Sequence, residues 1–286
     1  MKVAHVAREL AKHIGIFAAL ILIWEGAAHL GLIDTILVPR PTEIWRGIVE
    51  LYVTNRTIYW HFGITFYEAA AGFAIGAGLG LVLATGSALN DSFARYVAPY
   101  ATLLNVTPGL ALTPIVIAWF GFGYGSKIAL GAITCFFPVF VNTLIGLTRT
   151  DSETAEMFRS LGASRNDVFW KLRVPAALPM IFAGFKISVT TALVGAIVAE
   201  FSQGTAGIGV LMQRFAFQLN GGSAIASLLS MSLLGMILFF IIEFIDDRIV
   251  FWRRDGRMTS VSRKRRAAWA RWLSTGSKTK TNGRNE

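Results

Sequence analysis

Charged residues divide this chain into long apolar blocks. Four stretches carry no charge at all: 69–90, 96–126, 128–148 and 223–242. Two more hold a single charge each, Glu25 within 14–33 and Lys186 within 175–199. A helix that crosses the hydrocarbon of a bilayer needs roughly 20 residues, at about 1.5 Å each. Six blocks reach that length. The pattern therefore predicts an all-α, polytopic membrane protein with six transmembrane helices. The first block follows Lys2, Arg8 and Lys12 and so resembles a secretory signal. Five further spans follow it, which makes it an uncleaved anchor.

Inside the blocks the small and polar residues carry the detail. Gly72, Gly76 and Gly80 recur every four residues and form a stripe without side chains, where another helix backbone can approach closely. Pro108, Pro114 and Pro138 interrupt helical hydrogen bonding and leave carbonyls free. Such breaks serve either as simple kinks or as openings along a solute path. Lys186 lies about 11 residues into its span, which favours a solute contact or a partner charge within the bundle over a side chain that snorkels to the interface.

The long polar interruption at 151–173 breaks this rhythm. Thr150 with Glu153 fits a capping box, and Ser164 with Asp167 opens a second short helix. Gly162 sits between them, where a left-handed residue ends a helix at little cost. Pro175 stops the second helix or opens the next span. Met157, Phe158 and Leu161 share one face, and Val168, Phe169 and Leu172 share another. The result is a helix–turn–helix with apolar knobs and a charged rim. It is shaped either to dock in a groove or to lie on the membrane surface.

Composition agrees with a membrane protein. Hydrophobic residues make up 54% and charged residues 15%, and mean hydropathy is +0.55. Soluble domains carry about 25% charged residues, so an ordinary soluble enzyme is excluded. The net charge is +10, and the 39 residues from Arg248 to Glu286 contain twelve Lys/Arg against two acids. A basic tail on an apolar body suits anionic lipid headgroups better than a nucleic-acid groove, or is simply a solvated tail with no specific partner. Alternating sides place 21 of the 27 Lys/Arg with the termini and five, Arg40, Arg46, Arg56, Lys127 and Arg214, opposite, with Lys186 inside a span. Both termini are then cytoplasmic. The expected organisation is a cytoplasmic N-terminus (1–13), a membrane domain (14–251) with its loop at 151–173, and a disordered basic tail (252–286).

Candidate chemistry is sparse. Cys135 is alone, and His5, His13, His29 and His61 show no metal-ligand spacing. Lys127 follows Gly-Phe-Gly-Tyr-Gly-Ser but precedes Ile128, so no phosphate-binding loop forms. The chain is expected to bind no cofactor or metal and to hydrolyse nothing itself. A proton-coupled secondary carrier would show a relay of acids, for which Glu25 alone is weak support. An intramembrane enzyme would need a cluster of His, Asp or Glu at one depth. A non-transporting assembly factor would give no uptake defect when deleted.

The loop has a more specific likeness. Glu156, five residues, Gly162, nine residues and Leu172-x-Val174-Pro175 resemble the "EAA" loop of ABC-importer permeases, with Met157 and Phe158 in place of two alanines and Val174 in place of leucine. Val38-Pro-Arg-Pro-Thr-Glu-Ile-Trp45, Trp119-Phe-Gly-Phe-Gly123 and Glu200 followed by Gly207-Ile-Gly209 are also similar to that family, and the likeness spans about 37–251. It is closest in character to the sulfonate, taurine, nitrate and pyrimidine-precursor branch. The resemblance implies an inner-membrane homodimer. Cytoplasmic ATPase subunits, which bind the ATP and Mg, would engage Glu156, Met157, Phe158, Gly162, Ala163, Leu172, Val174 and Pro175. A periplasmic binding protein would deliver a small solute. Asn105, Thr107, Asn142, Lys186 and Glu200 are the expected path residues. For the asparagines and Thr107, interhelical hydrogen bonding is the competing role.

Overall fold

The computed structural model describes residues 2–149 and 152–252. Among them every regular element is helical. The chain falls into two units, Met1–Ile242 and Glu243–Glu286. Beyond Trp252 the expected basic tail lies outside the described residues, as does Thr150 of the expected capping box.

The helices are α1 (Lys2–His29), α2 (Pro41–Val49, continued by a π turn at Glu50–Thr54) and α3 (Ile58–Leu89). Next come α4 (Asp91–Val106), α5 (Gly109–Phe120), α6 (Tyr124–Thr148) and α7 (Ser152–Ser160). α8 (Arg165–Asp167) runs through a π segment (Val168–Arg173) into α9 (Val174–Gln203), and α10 (Ile208–Phe217) and α11 (Gly221–Ile249) follow. Five helical stretches are long and apolar enough to cross a membrane, and α4 with α5 qualifies only as a pair bent by 103°.

Packing decides how that bent pair runs. The glycine stripe brings α3 and α6 into backbone contact. A Cβ on Gly72 would lie 2.9 Å from the Ile128 carbonyl, one on Gly76 would strike Ala132 and Cys135, and one on Gly80 would lie 3.0 Å from the Phe136 carbonyl. Residue numbers rise together on the two helices, so α3 and α6 are parallel. α9 runs the other way: Gly146 meets Ala177, Gly184 meets Asn142, and Gly195 meets Leu130. Two parallel spans require the chain between them to return across the bilayer. It does so stepwise. Ala101 of α4 packs with Ala84 and Phe140, and Val116 of α5 packs with Leu130 and Ala199. The bent pair is therefore one broken span, which brings the crossings among the described residues to six. The stretch 96–126, counted as one span with prolines that break or bend it, breaks at Thr107–Pro108 because proline lacks the donor and disfavours helix in the preceding residue.

α2 is amphipathic and, with its π turn, packs on the first turns of α11. Tyr52 donates to Ser230 at 2.9 Å, and Gly47 packs on the backbone of Gly222. Glu25 holds α1 to it, accepting from the Thr42 amide at 3.2 Å and the Thr42 hydroxyl at 2.9 Å. That carboxylate, weighed above as proton-relay chemistry, thus caps the N-terminus of α2.

Candidate functional site

The polar loop folds as the sequence predicts at its turn. Gly162 has φ +86°, a conformation resisted by residues with a Cβ. Ser164 accepts from the Asp167 amide at 3.1 Å while Asp167 accepts from the Ser164 amide at 3.2 Å, a reciprocal cap. Asp167 also pairs with Lys171 at 2.6 Å, one helical turn on. The second helix does not stop at Pro175. It widens to the π form, with the Val174 amide bonding back to Phe169, and so absorbs the proline and continues as α9. A single helical rod of 38 residues, Arg165–Ser202, joins the turn to the membrane.

The apolar knobs divide into two sets. Val168 and Phe169, read above as docking knobs, are buried, and Phe169 packs with Leu147, Ala177 and Ile181 of the hairpin's own bundle. Met157 and Leu161 are exposed at 53% and 80%, as is Trp170, which the sequence reading overlooked. Glu156 is exposed beside them, and Ala163 and Leu172 are half-buried. Phe158, Gly162 and Ala163 line a surface groove with Asp167 and Lys171.

The broken span creates the second feature. A cavity of about 290 Å³ opens at the α4–α5 break, lined by Asn105, Thr107 and Pro108 with Thr134 of α6 and Thr191 and Val194 of α9. The Thr134 hydroxyl lies 3.0 Å from the Thr191 carbonyl and ties the two walls together. Asn142 and Lys186 are half-buried on the hairpin side of this level. Asn142 donates to the Pro138 carbonyl at 2.8 Å, meeting an acceptor on its own helix.

Glu200 sits elsewhere, at the far end of the bundle, fully buried. Its Oε1 accepts from Thr65 at 2.6 Å and its Oε2 from the Gly209 amide at 2.6 Å. The Ile208 amide donates to Thr65 at 2.8 Å, and the Gly207 amide to His61 Nδ1 at 3.0 Å. A side chain on Gly207 would collide with the Glu200 carboxylate, which gives Gly207-Ile-Gly209 its physical reason. Beside this knot Glu68, 0% exposed, faces Lys127, 4% exposed, at 3.3 Å. Lys127 was counted above as a loop charge. It is instead an internal cation in the first turn of α6. Positions 68, 127 and 200 are too far apart along the chain for any spacing signal to reveal this cluster.

With the broken span and the hairpin in place, the family can be decided. A model for the family described as "Binding-protein-dependent transport system inner membrane component" matches residues 76–251. The chain belongs to that family. It is an ABC-importer permease, a multi-pass transport component and not an enzyme. The permease is similar to the formylaminopyrimidine transport permease protein ThiX of Halalkalibacterium halodurans, with 31% identity across 83% of this chain and 94% of that protein. It is also similar to the putative aliphatic sulfonates transport permease protein SsuC of Bacillus subtilis strain 168, with 31% identity across 83% of this chain and 86% of that protein. Its fold resembles a chain of the MetNI methionine ABC transporter solved in inward-facing form, at TM-score 0.53 and 20% identity, covering 70% of this chain and 95% of that one. Membership implies ATPase and substrate-binding partners for the permease. It sets aside the secondary-carrier, intramembrane-enzyme and assembly-factor readings.

Proposed function

We propose that the hairpin is the permease's coupling element and the α4–α5 break its solute site. One observation carries this reading: a single helical rod runs from the hairpin turn to the cavity wall. From Arg165 to Thr191 is 26 residues, or about 39 Å of helix. A push on the hairpin by an ATPase subunit therefore moves Thr191 and Val194 directly, without passing through a flexible joint. Met157 and Leu161 offer the apolar contact and Glu156 the charged one. Phe158, Gly162 and Ala163 shape the turn, while Leu172, Val174 and Pro175 carry the push into α9.

In this reading two copies of the chain form the pathway in the inner membrane. ATP and Mg bind the separate ATPase subunits. A periplasmic binding protein delivers the solute at the end marked by Glu200, and both termini are cytoplasmic. Asn105 and Thr107 meet the solute at the break, while Asn142 and Lys186 line the route below it. Glu200 holds the outer end together. The solute is small and polar, of the sulfonate, taurine, nitrate or pyrimidine type, in keeping with the compounds for which ThiX and SsuC are named.

Asn105→Leu with Thr107→Val is expected to lower uptake about tenfold, the effect of one or two lost hydrogen bonds. Amount in the membrane and ATPase association should be unchanged. The check is solute uptake by proteoliposomes containing the whole transporter. Wild-type uptake by the double variant would remove the break from the path. Orientation has its own test. Single cysteines near Arg56 and Arg214 should react with an impermeant maleimide from the periplasm, and one near Arg165 should not. A periplasmic label near Arg165 would invert the assignment.

A further inference from the structure

We propose that the permease carries a site for an anionic phospholipid at the hairpin end of its bundle. Two adjoining cavities form it. The first, about 220 Å³, is lined by Arg159, Arg165 and Arg173 together with Ala88 and Leu89, the last turn of α3. These arginines come from three different segments of the hairpin, so only the folded turn assembles them. Among the described residues none of the three forms an ion pair. The Arg173 Nε is buried without an acceptor. Three like charges around one cavity repel each other, and a buried donor without a partner is unfavourable. An anion between them relieves both.

The second cavity, about 350 Å³, shares Phe169 with the first and continues along α3 at Leu81, Val82 and Thr85, closed by Val174 and Ile181. No charged side chain lines it. Depth orders the pair. α3 is a membrane span ending at Leu89, so its last turn lies at headgroup level and residues 81–85 lie about one to two turns deeper, beside acyl chains. Trp170 is exposed at the rim of the apolar furrow, the residue type that collects at the headgroup layer. Cationic at headgroup depth and apolar at chain depth is the profile of a phosphate diester carrying acyl tails. A carboxylate from a protein partner, or free phosphate, would satisfy the arginines and leave the furrow without a role. The site stands whether or not the hairpin couples to an ATPase.

The test uses the full-length permease in mild detergent, with phosphatidylglycerol or phosphatidylcholine added and retained lipid counted by native mass spectrometry. Phosphatidylglycerol is expected to be retained at about tenfold lower concentration than phosphatidylcholine. Arg159→Gln/Arg165→Gln/Arg173→Gln should abolish that preference, and Arg165→Gln alone, at an exposed position, should weaken it in a protein that folds. Thr85→Trp fills the furrow with the arginines intact and should also weaken retention, about fivefold or more, while millimolar inorganic phosphate should not displace the lipid from wild type. Retained preference in the arginine variants would overturn the proposal. So would undiminished retention by Thr85→Trp together with displacement by phosphate, which would make the ligand a free anion. Loss of ATPase binding with lipid retention unchanged would make the cavity a protein contact and overturn it equally.

Discussion

Lys127→Met is expected to destabilise the permease by about 3–5 kcal/mol, the usual effect of removing one partner from a buried ion pair. The reason is local. Lys127 is 4% exposed and is the cation that faces Glu68, which is fully buried and lies beside Glu200. Methionine keeps the length and volume of the side chain, so packing changes little and the effect is electrostatic. Two acidic groups then remain in a water-poor site without a cation. A loss of that size corresponds to a fall in unfolding temperature on the order of 10 °C. Adding Glu68→Gln to Lys127→Met removes the uncompensated carboxyl and should recover much of the loss. Thermal aggregation of the detergent-purified protein, followed by size-exclusion chromatography, reads both effects. A Lys127→Met protein as stable as wild type, with no rescue by the second change, would mean that the cluster does not hold the far end together.

The second large effect is expected at the hairpin. Gly162 at φ +86° would force valine into a left-handed conformation that costs roughly 1–2 kcal/mol, and a β-branched side chain resists it most. The turn relaxes, and Met157 and Leu161 lose their fixed presentation. Glu156→Lys reverses an exposed charge beside those two residues, and like-charge juxtaposition at an interface costs several kcal/mol. Neither residue contacts lipid in the proposed topology, so both variants should reach the membrane in normal amounts. Both should bind the ATPase about tenfold or more weakly and lose uptake. Membrane abundance by immunoblot, with ATPase co-purification, separates this outcome from a folding defect.

Much of this architecture was legible because it depends on local chemistry. Charge-free length located the spans, the glycine stripe marked a close backbone approach on α3, and the glycine and serine of the hairpin fixed its turn and cap. Each of these signals lies within a few consecutive residues. What escaped depends on the third dimension. Pro108 marked a break within 96–126, but a count of apolar residues is blind to its size, a bend of 103°. Val168 and Phe169 sit on a well-defined helical face, but periodicity does not say what covers a face, and here it is Leu147, Ala177 and Ile181. Lys127 looked like a loop charge because its partner is 59 residues away. The three arginines of the hairpin looked like a solvated rim until the fold set them around one cavity.

In the proposed mechanism an ATPase acts on this permease through the hairpin turn. The most direct measurement places a single cysteine at Ser160, which is exposed, in a chain with Cys135 replaced by serine. The protein is then crosslinked to cysteines placed across the membrane-facing surface of the ATPase subunit in the assembled transporter. A disulfide from Ser160→Cys whose yield changes when ATP is added is expected, and none from a control cysteine near Arg214 at the far end. No crosslink at Ser160 under any nucleotide condition, in a complex that still transports, would contradict it.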